Sequence, residues 1–189
     1  MTIADVLTRA EAHTLKADDI LQILYNSQGN AGAGFAKSHV LEHTFGTARD
    51  DQYAFRARHS EFTSAPEMAE VIAILLQTGY GIYALKQLST AATKVVEIIT
   101  RGGEGLPVYS REDNSQGITH GSGETADLFA ERSVVKAKTV VIILHDKGGD
   151  LHVQSCYPRA DDPTGGKEAI VNNKHKNTIL ATKVFTSGV

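Results

Sequence analysis

Cysteine is nearly missing from this chain. Cys156 is the only one in 189 residues. That excludes an intrachain disulfide and any metal site built from several thiolates. Aromatic residues are few, at 6%, while 41% of the residues are hydrophobic. Such a composition suits one globular domain, or a core domain with a small appendage. No apolar run reaches the roughly 18 residues that span a bilayer. The opening Met1-Thr2-Ile3-Ala4-Asp5 has no basic n-region and no long apolar h-region, so no secretory signal peptide is expected. A domain cut from a larger chain, or exported by another route, would read the same way. An excess of positive charge is also lacking: the net charge is -3. This argues against a general nucleic-acid coating protein. It leaves an RNA-cleaving enzyme open, because only the local field at a cleft matters there. The chain shows no internal repeat and no low-complexity tract.

What the chain does have is His39-Val40-Leu41-Glu42-His43. Apolar Phe35, Val40 and Leu41 predict a helix from Phe35 to Phe45, stopped near Gly46. On a helix, positions four apart share a face, so both imidazoles would point at one small volume. Two imidazoles so placed serve either to hold a metal or to move protons.

Around this segment the periodicity predicts a helical front and a β-rich back. Ile3, Val6, Leu7 and Ala10 mark one amphipathic helix, and Ile20, Leu21, Ile23 and Leu24 a second with Asp18 as N-cap. Gln28 to Gly34 reads as a flexible joint before the main domain. Asp50 to Arg58 allows a further helix. Thr63 or Ser64 before Pro66 and Glu67 is a helix start, and that helix carries Met68, Val71, Ile72, Leu75 and Leu76. Gly79 and Gly81 interrupt it before a shorter piece through Leu85 and Leu88. Thr93 to Thr100 is rich in β-branched residues and predicts a strand. Leu106 to Ser110 and Gly117 to His120 suggest short ones. Val134 to Leu144 and Leu151 to Tyr157 flank Asp146-Lys147-Gly148-Gly149-Asp150, which predicts a hairpin, with Pro158 ending its second strand. Residues 159 to 178 read as loop, and Ile179 to Phe185 as one more strand. The expected fold is α+β: N-terminal helices packed on a C-terminal antiparallel, twisted sheet, with the face of 68 to 76 buried against the hairpin.

The order of these pieces resembles the RNase A-like toxin domains at the C-termini of bacterial contact-dependent growth inhibition proteins. The matching features are Gly32 to Gly34, Ser38-His39-Val40-Leu41-Glu42-His43, Asp50-Asp51 with Arg56 or Arg58, Glu61-Phe62-Thr63 entering the long helix, and Gln154-Ser155-Cys156-Tyr157-Pro158 closing the hairpin. The similarity covers about residues 32 to 158, and its information lies in the order rather than in one motif. The two histidines stand one residue closer than in that family, and Ser155 stands where threonine is frequent. Insertions fall between Gly79 and Val134. The resemblance implies a kidney-shaped, RNase A-like architecture over 31–189, preceded by a helical segment over 1–30. It implies a metal-independent endoribonuclease without cofactor, acting as a secreted toxin or effector delivered into a target-cell cytoplasm. Its partners would be an RNA substrate, tRNA included, and a dedicated immunity protein over the cleft.

Such an enzyme needs a base for the ribose 2′-OH, a donor or cation for the phosphorane-like transition state, and an acid for the leaving 5′ oxygen. Histidine, with its ordinary pKa of about 6.5, suits the proton steps. Arginine suits the phosphate, because its planar fork donates to two oxygens. His43 is therefore the candidate general base or acid, with His39 as its alternate. Arg56 is the candidate phosphate ligand, with Arg58 as substitute. Ser155 and Tyr157 alternate onto one strand face, and by resemblance would position or stabilise the phosphate. Lys37, Arg49, Arg56 and Arg58 would supply a local basic lining. His145 and His152 flank the hairpin turn as an expected solvent-exposed pair. His120 lies in a Gly/Ser-rich loop that could cover a cleft. Cys156 alternates inward as a small core residue.

Two other classes compete. His39-x-x-Glu42-His43 is also the inverted zinc motif, and its surroundings are similar to the zinc helix of the insulinase-type metallopeptidases. There the histidines bind Zn²⁺ and the glutamate activates water, with Glu112 or Glu124 as candidate third ligand. Against it, those enzymes usually pair two larger domains, and Pro66 with a helix replaces the strand expected after the motif. The third class is a non-catalytic interaction module. Gly29 to Gly34 and Gly102-Gly103-Glu104-Gly105 are glycine-rich but lack the context and the lysine of a phosphate-binding loop.

Overall fold

The computed structural model describes residues 1–32, 37–44, 62–101, 107–111, 118–119, 125–126, 132–136, 139–159, 177–182 and 184. Among these it is α+β, with four helices and a four-stranded mixed sheet. The helices are α1 (Ile3–Glu11), α2 (Ala17–Ser27), α3 (Ala65–Leu76) and α4 (Gly79–Ser89). The strands of the main sheet are β1 (Val95–Arg101), β6 (Thr139–Lys147), β7 (Asp150–Arg159) and β8 (Asn177–Thr182), in the order β7-β6-β1-β8. Two smaller pairs stand apart: β2 (Pro107–Arg111) with β5 (Arg132–Lys136), and β3 (Ile118–Thr119) with β4 (Thr125–Ala126).

Local chemistry explains the helix ends. Thr2 Oγ1 accepts from Asp5 N at 3.1 Å and starts α1. The cap of α2 is Lys16 rather than Asp18. Asp18 lies inside the first turn, and it is Asp19 that reaches back to accept from Lys16 N at 3.1 Å. Ser64 caps α3, with Pro66 in its first turn, and Glu67 reaches back to Thr63 N at 2.8 Å. The break between α3 and α4 is a bend of 85°. It is permitted by Gly81, whose missing side chain leaves room for the backbone of Leu75 and Leu76. No single helix among the described residues is long and apolar enough to cross a membrane.

One sheet face carries Val96, Ile98, Val140, Ile142, Leu144, Val153, Cys156, Ile179 and Ala181 into a single cluster with the helices. Ile3, Val6, Ile20, Ile23 and Leu24 join the same cluster, so residues 1–30 are packed into this core. Met68, Val71, Ile72, Leu75 and Leu76 share that cluster with the hairpin residues Val140, Ile142, Leu144, Val153 and Cys156. Helix α3 packs on α2 and α4, and the main helix contacts to the sheet come from α2 on β7 and from α4 on β1 and β8.

Three strand expectations change. The sheet is mixed, not antiparallel, because β8 runs parallel to β1. A parallel strand needs a crossover of a dozen or more residues, and the interval from Arg159 to Asn177 is long enough for one. The run Val134 to Leu144 is split between β5 and β6, which belong to different sheets. Pro158 does not end β7 but lies inside it opposite Val140. This is tolerated because β7 is an edge strand, where a missing N–H breaks no ladder. The hairpin turn is as expected: Gly148 and Gly149 both have positive φ, 64° and 95°, the geometry of a tight two-residue connection. The helix expected over Asp50 to Arg58 lies outside the described residues.

Candidate functional site

The His39–His43 segment is not an α-helix. It is one 3-10 turn, Val40–His43, with His39 at its N-cap. Both flanks are engaged elsewhere. Lys37 and Ser38 bridge to Ala31 and Gln28, and Thr44 bridges to Phe62, whose N–H donates to His43 O at 2.8 Å. Backbone committed to those bridges cannot continue a helix in either direction. Val40 and Leu41 are buried in the core and anchor the turn.

The turn is then fastened to the exposed edge of the sheet. Ser38 Oγ donates to Val153 O at 2.8 Å, and Val153 N donates to Ser27 Oγ at 3.0 Å. These bonds satisfy an edge-strand residue and cover it. Gln154 Nε2 adds a bond to Lys37 O at 3.0 Å. A bulge in β7 between the Ile143 and Leu144 pairings shifts the alternation. As a result His152, Ser155 and Tyr157, opposite His145, Ile143 and Val141, all lie on the face away from the main helical core.

His43 meets that face. Its Nε2 lies 3.3 Å from Ser155 Oγ, the donor being set by the ring's tautomer. Its ring centroid is 5.4 Å from that of Tyr157 and 5.2 Å from that of His39. His43 and Ser155 are each 4% exposed, Tyr157 is partly buried, and His39 is exposed. The structure therefore brings together four of the residues singled out from sequence: His39, His43, Ser155 and Tyr157. The exposed side chain of Lys37 belongs to the adjoining segment. Arg56, Arg58, Arg49, His120, Glu112 and Glu124 lie outside the described residues.

A buried imidazole in hydrogen-bond reach of a hydroxyl can exchange a proton with it. A phenol beside it adds a donor, and a solvent-facing imidazole gives a second titrating group. For the zinc arrangement, Glu42 is engaged elsewhere: Gln28 Nε2 donates to its Oε1 at 3.4 Å. Among the described residues no group of three His, Cys, Asp or Glu side chains converges on a metal-sized point.

His145 and His152 are not solvent-exposed as expected. They face each other at 5.9 Å between ring centroids and are 6% and 3% exposed. Gly32 lies against both rings and leaves no room for a Cβ. Burial, with the neighbouring His152 adding to it, lowers the His145 pKa from 6.5 to about 4. His152 is also lowered, by burial and then by Lys147, against a bond from Gln154. Asp146 is held below its ordinary value by bonds from Lys94 and from Gly149 N. Cys156 is fully buried, and burial pushes its thiol well above the ordinary range. The supporting side chains of Ser27, Gln28 and Ser38 had no signature in the sequence.

Comparison with protein families, with curated proteins and with solved structures finds no match to this chain.

Proposed function

We propose that this chain is an endoribonuclease domain that cleaves RNA without a metal ion, of the toxin or effector class. The observation that carries the reading is the convergence of His43 with Ser155, beside His39 and Tyr157, on one sheet face. His43 takes the proton from the ribose 2′-OH. The 2′ oxygen attacks the adjacent phosphorus, and the P–O5′ bond breaks. His39, on the solvent side, protonates the leaving 5′ oxygen. The products are a 2′,3′-cyclic phosphate and a 5′-hydroxyl. Ser155 and Tyr157 donate to the non-bridging phosphate oxygens, whose charge grows in the transition state. Lys37, exposed on the segment bonded to β7, is a described cation for the substrate backbone, and Arg56 keeps its place as phosphate ligand on the resemblance alone. The RNase A-like architecture and an immunity protein covering this face belong to the same proposal.

The test is incubation of purified protein with total RNA, with and without EDTA, beside His43→Ala and His39→Ala variants whose far-UV CD matches wild type. Cleavage that survives EDTA and is abolished by His43→Ala is the expected result. Activity that needs added zinc, or that survives His43→Ala, overturns the reading. The Ser155–His43 bond also favours a second reading, with Ser155 as nucleophile and His43 as its base. Covalent labelling of Ser155 by a fluorophosphonate, together with no action on RNA, would select it.

A further inference from the structure

We infer that Gln28 is a positioning residue for the His39–His43 pair: it fixes the turn that carries both imidazoles and holds the Glu42 carboxylate away from them. This deepens the ribonuclease reading and rests on it for its kinetic consequences. The structural part is read without RNA.

Gln28 follows the last residue of α2, and its own N–H closes that helix by donating to Leu24 O at 3.0 Å. Its side chain then spans to the 3-10 turn. Oε1 accepts from Leu41 N at 2.8 Å, and Nε2 donates to Glu42 Oε1 at 3.4 Å. The first N–H groups of such a turn have no partner within it. Here Val40 N donates to Ser38 Oγ at 3.4 Å and Leu41 N to Gln28, so two side chains from outside complete the turn. Gly29 N donates to Ser38 O at 2.8 Å beside them and fixes the spacing between α2 and the turn. The 3.3 Å approach of His43 to Ser155 depends on where this turn sits.

The second half of the clamp is electrostatic. Glu42 lies in the turn that His39 caps, its N–H donating to His39 O at 3.0 Å, and it is the direct sequence neighbour of His43. A carboxylate released there reaches either ring. It would favour the charged imidazole and remove the neutral base. The titratable and charged groups around the pair, among the described residues, are Glu42 on the turn, Tyr157 on β7 and Lys37 on the segment bonded to β7. Of these, Glu42 is the carboxylate, and Gln28 Nε2 donates to it at 3.4 Å.

The test uses the full chain with Gln28→Ala, Gln28→Glu, and each combined with Glu42→Gln. Gln28→Glu keeps an acceptor for Leu41 N but adds a carboxylate of its own, so the release of Glu42 is read from Gln28→Ala against Gln28→Ala with Glu42→Gln, and Gln28→Glu reports the turn. Imidazole titration followed by NMR is the first readout. Gln28→Ala is expected to move the imidazole titration upward, and adding Glu42→Gln to reverse the movement. The second readout is RNA cleavage against pH, where the acid limb of kcat moves to higher pH with the imidazole titration and KM is little changed. Imidazole titrations unmoved in Gln28→Ala, or a rise there that persists with Glu42→Gln, overturn the inference. Inactive wild type toward RNA, with the titration shifts intact, removes the ribonuclease reading and leaves the clamp standing.

Discussion

Acidification should destabilise this protein through its buried histidine pair before Asp146 contributes. His145 is 6% exposed, faces His152, and has its pKa lowered to about 4 from an ordinary 6.5. Around the pair stand Lys147, whose charge lowers His152 further, and the Lys94–Asp146 ion pair. The unfolded chain therefore binds a proton at His145 that the folded chain refuses. Its contribution to stability is complete above about pH 6.5, falls as pH drops through the interval, and is gone below about pH 4. At about 1.4 kcal/mol per pH unit, that interval is worth roughly 3 kcal/mol for His145 alone. His152 adds in the same direction. Asp146, with a lowered carboxyl pKa, contributes stability that is lost only below its ordinary 3.8, so the two windows separate. The assay is urea denaturation at pH 7.5, 5.5 and 4.2 of wild type and His145→Asn. With a urea dependence of about 2 kcal/mol per M, the wild-type midpoint should drop by roughly 1.5 M across the window. The variant should drop by clearly less. Parallel curves for the two proteins would refute the argument, because they would mean that the imidazole is free to charge where it sits.

Three further outcomes follow from the same packing. Gly32→Ala should destabilise the fold by about 1–3 kcal/mol in urea titration, since a methyl there meets His152 Cδ2 at 2.7 Å and the His145 ring; no loss would mean that the segment does not cover the pair. Ser155→Ala should slow RNA cleavage by about 10²-fold, as loss of a transition-state donor does, with a thermal midpoint within a few degrees of wild type; unchanged cleavage would remove Ser155 from the site. Cys156 should react with a thiol reagent only as fast as the protein unfolds, because the thiol is buried and protonated; rapid labelling under native conditions would contradict its burial in the core.

Where local chemistry decides structure, the sequence was readable. The Ser64-Pro66-Glu67 start and the Gly148-Gly149 turn each fix a backbone choice by residue type and stand as expected; the expected break falls at Gln77 and Thr78, with Gly79 and Gly81 in the first turn of α4. Where tertiary partners decide, it was not. The 3-10 turn exists because Lys37, Ser38 and Thr44 are committed to distant bridges, which a helical period cannot reveal. The direction of β8 depends on where the chain returns to the sheet, and its β-branched residues are the same for either direction. His145 and His152 read as exposed because a hairpin end usually is; a glycine more than a hundred positions earlier covers them. Gln28 read as part of a flexible joint because nothing in Gln-Gly-Asn announces a side chain that clamps a turn thirteen residues on. The candidate site was legible in its types, imidazole, hydroxyl and phenol. The meeting of His43 with Ser155 was an expectation that only the register and the β7 bulge could place at 3.3 Å.

The most direct measurement is the chemistry of the RNA ends. A defined RNA oligonucleotide is treated with wild type and His43→Ala in EDTA, and the fragments are weighed by mass spectrometry. Wild type should leave fragments ending in 2′,3′-cyclic phosphate, and the variant should leave the RNA intact. Intact RNA with wild type, or fragments ending in 5′-phosphate, would contradict the ribonuclease reading.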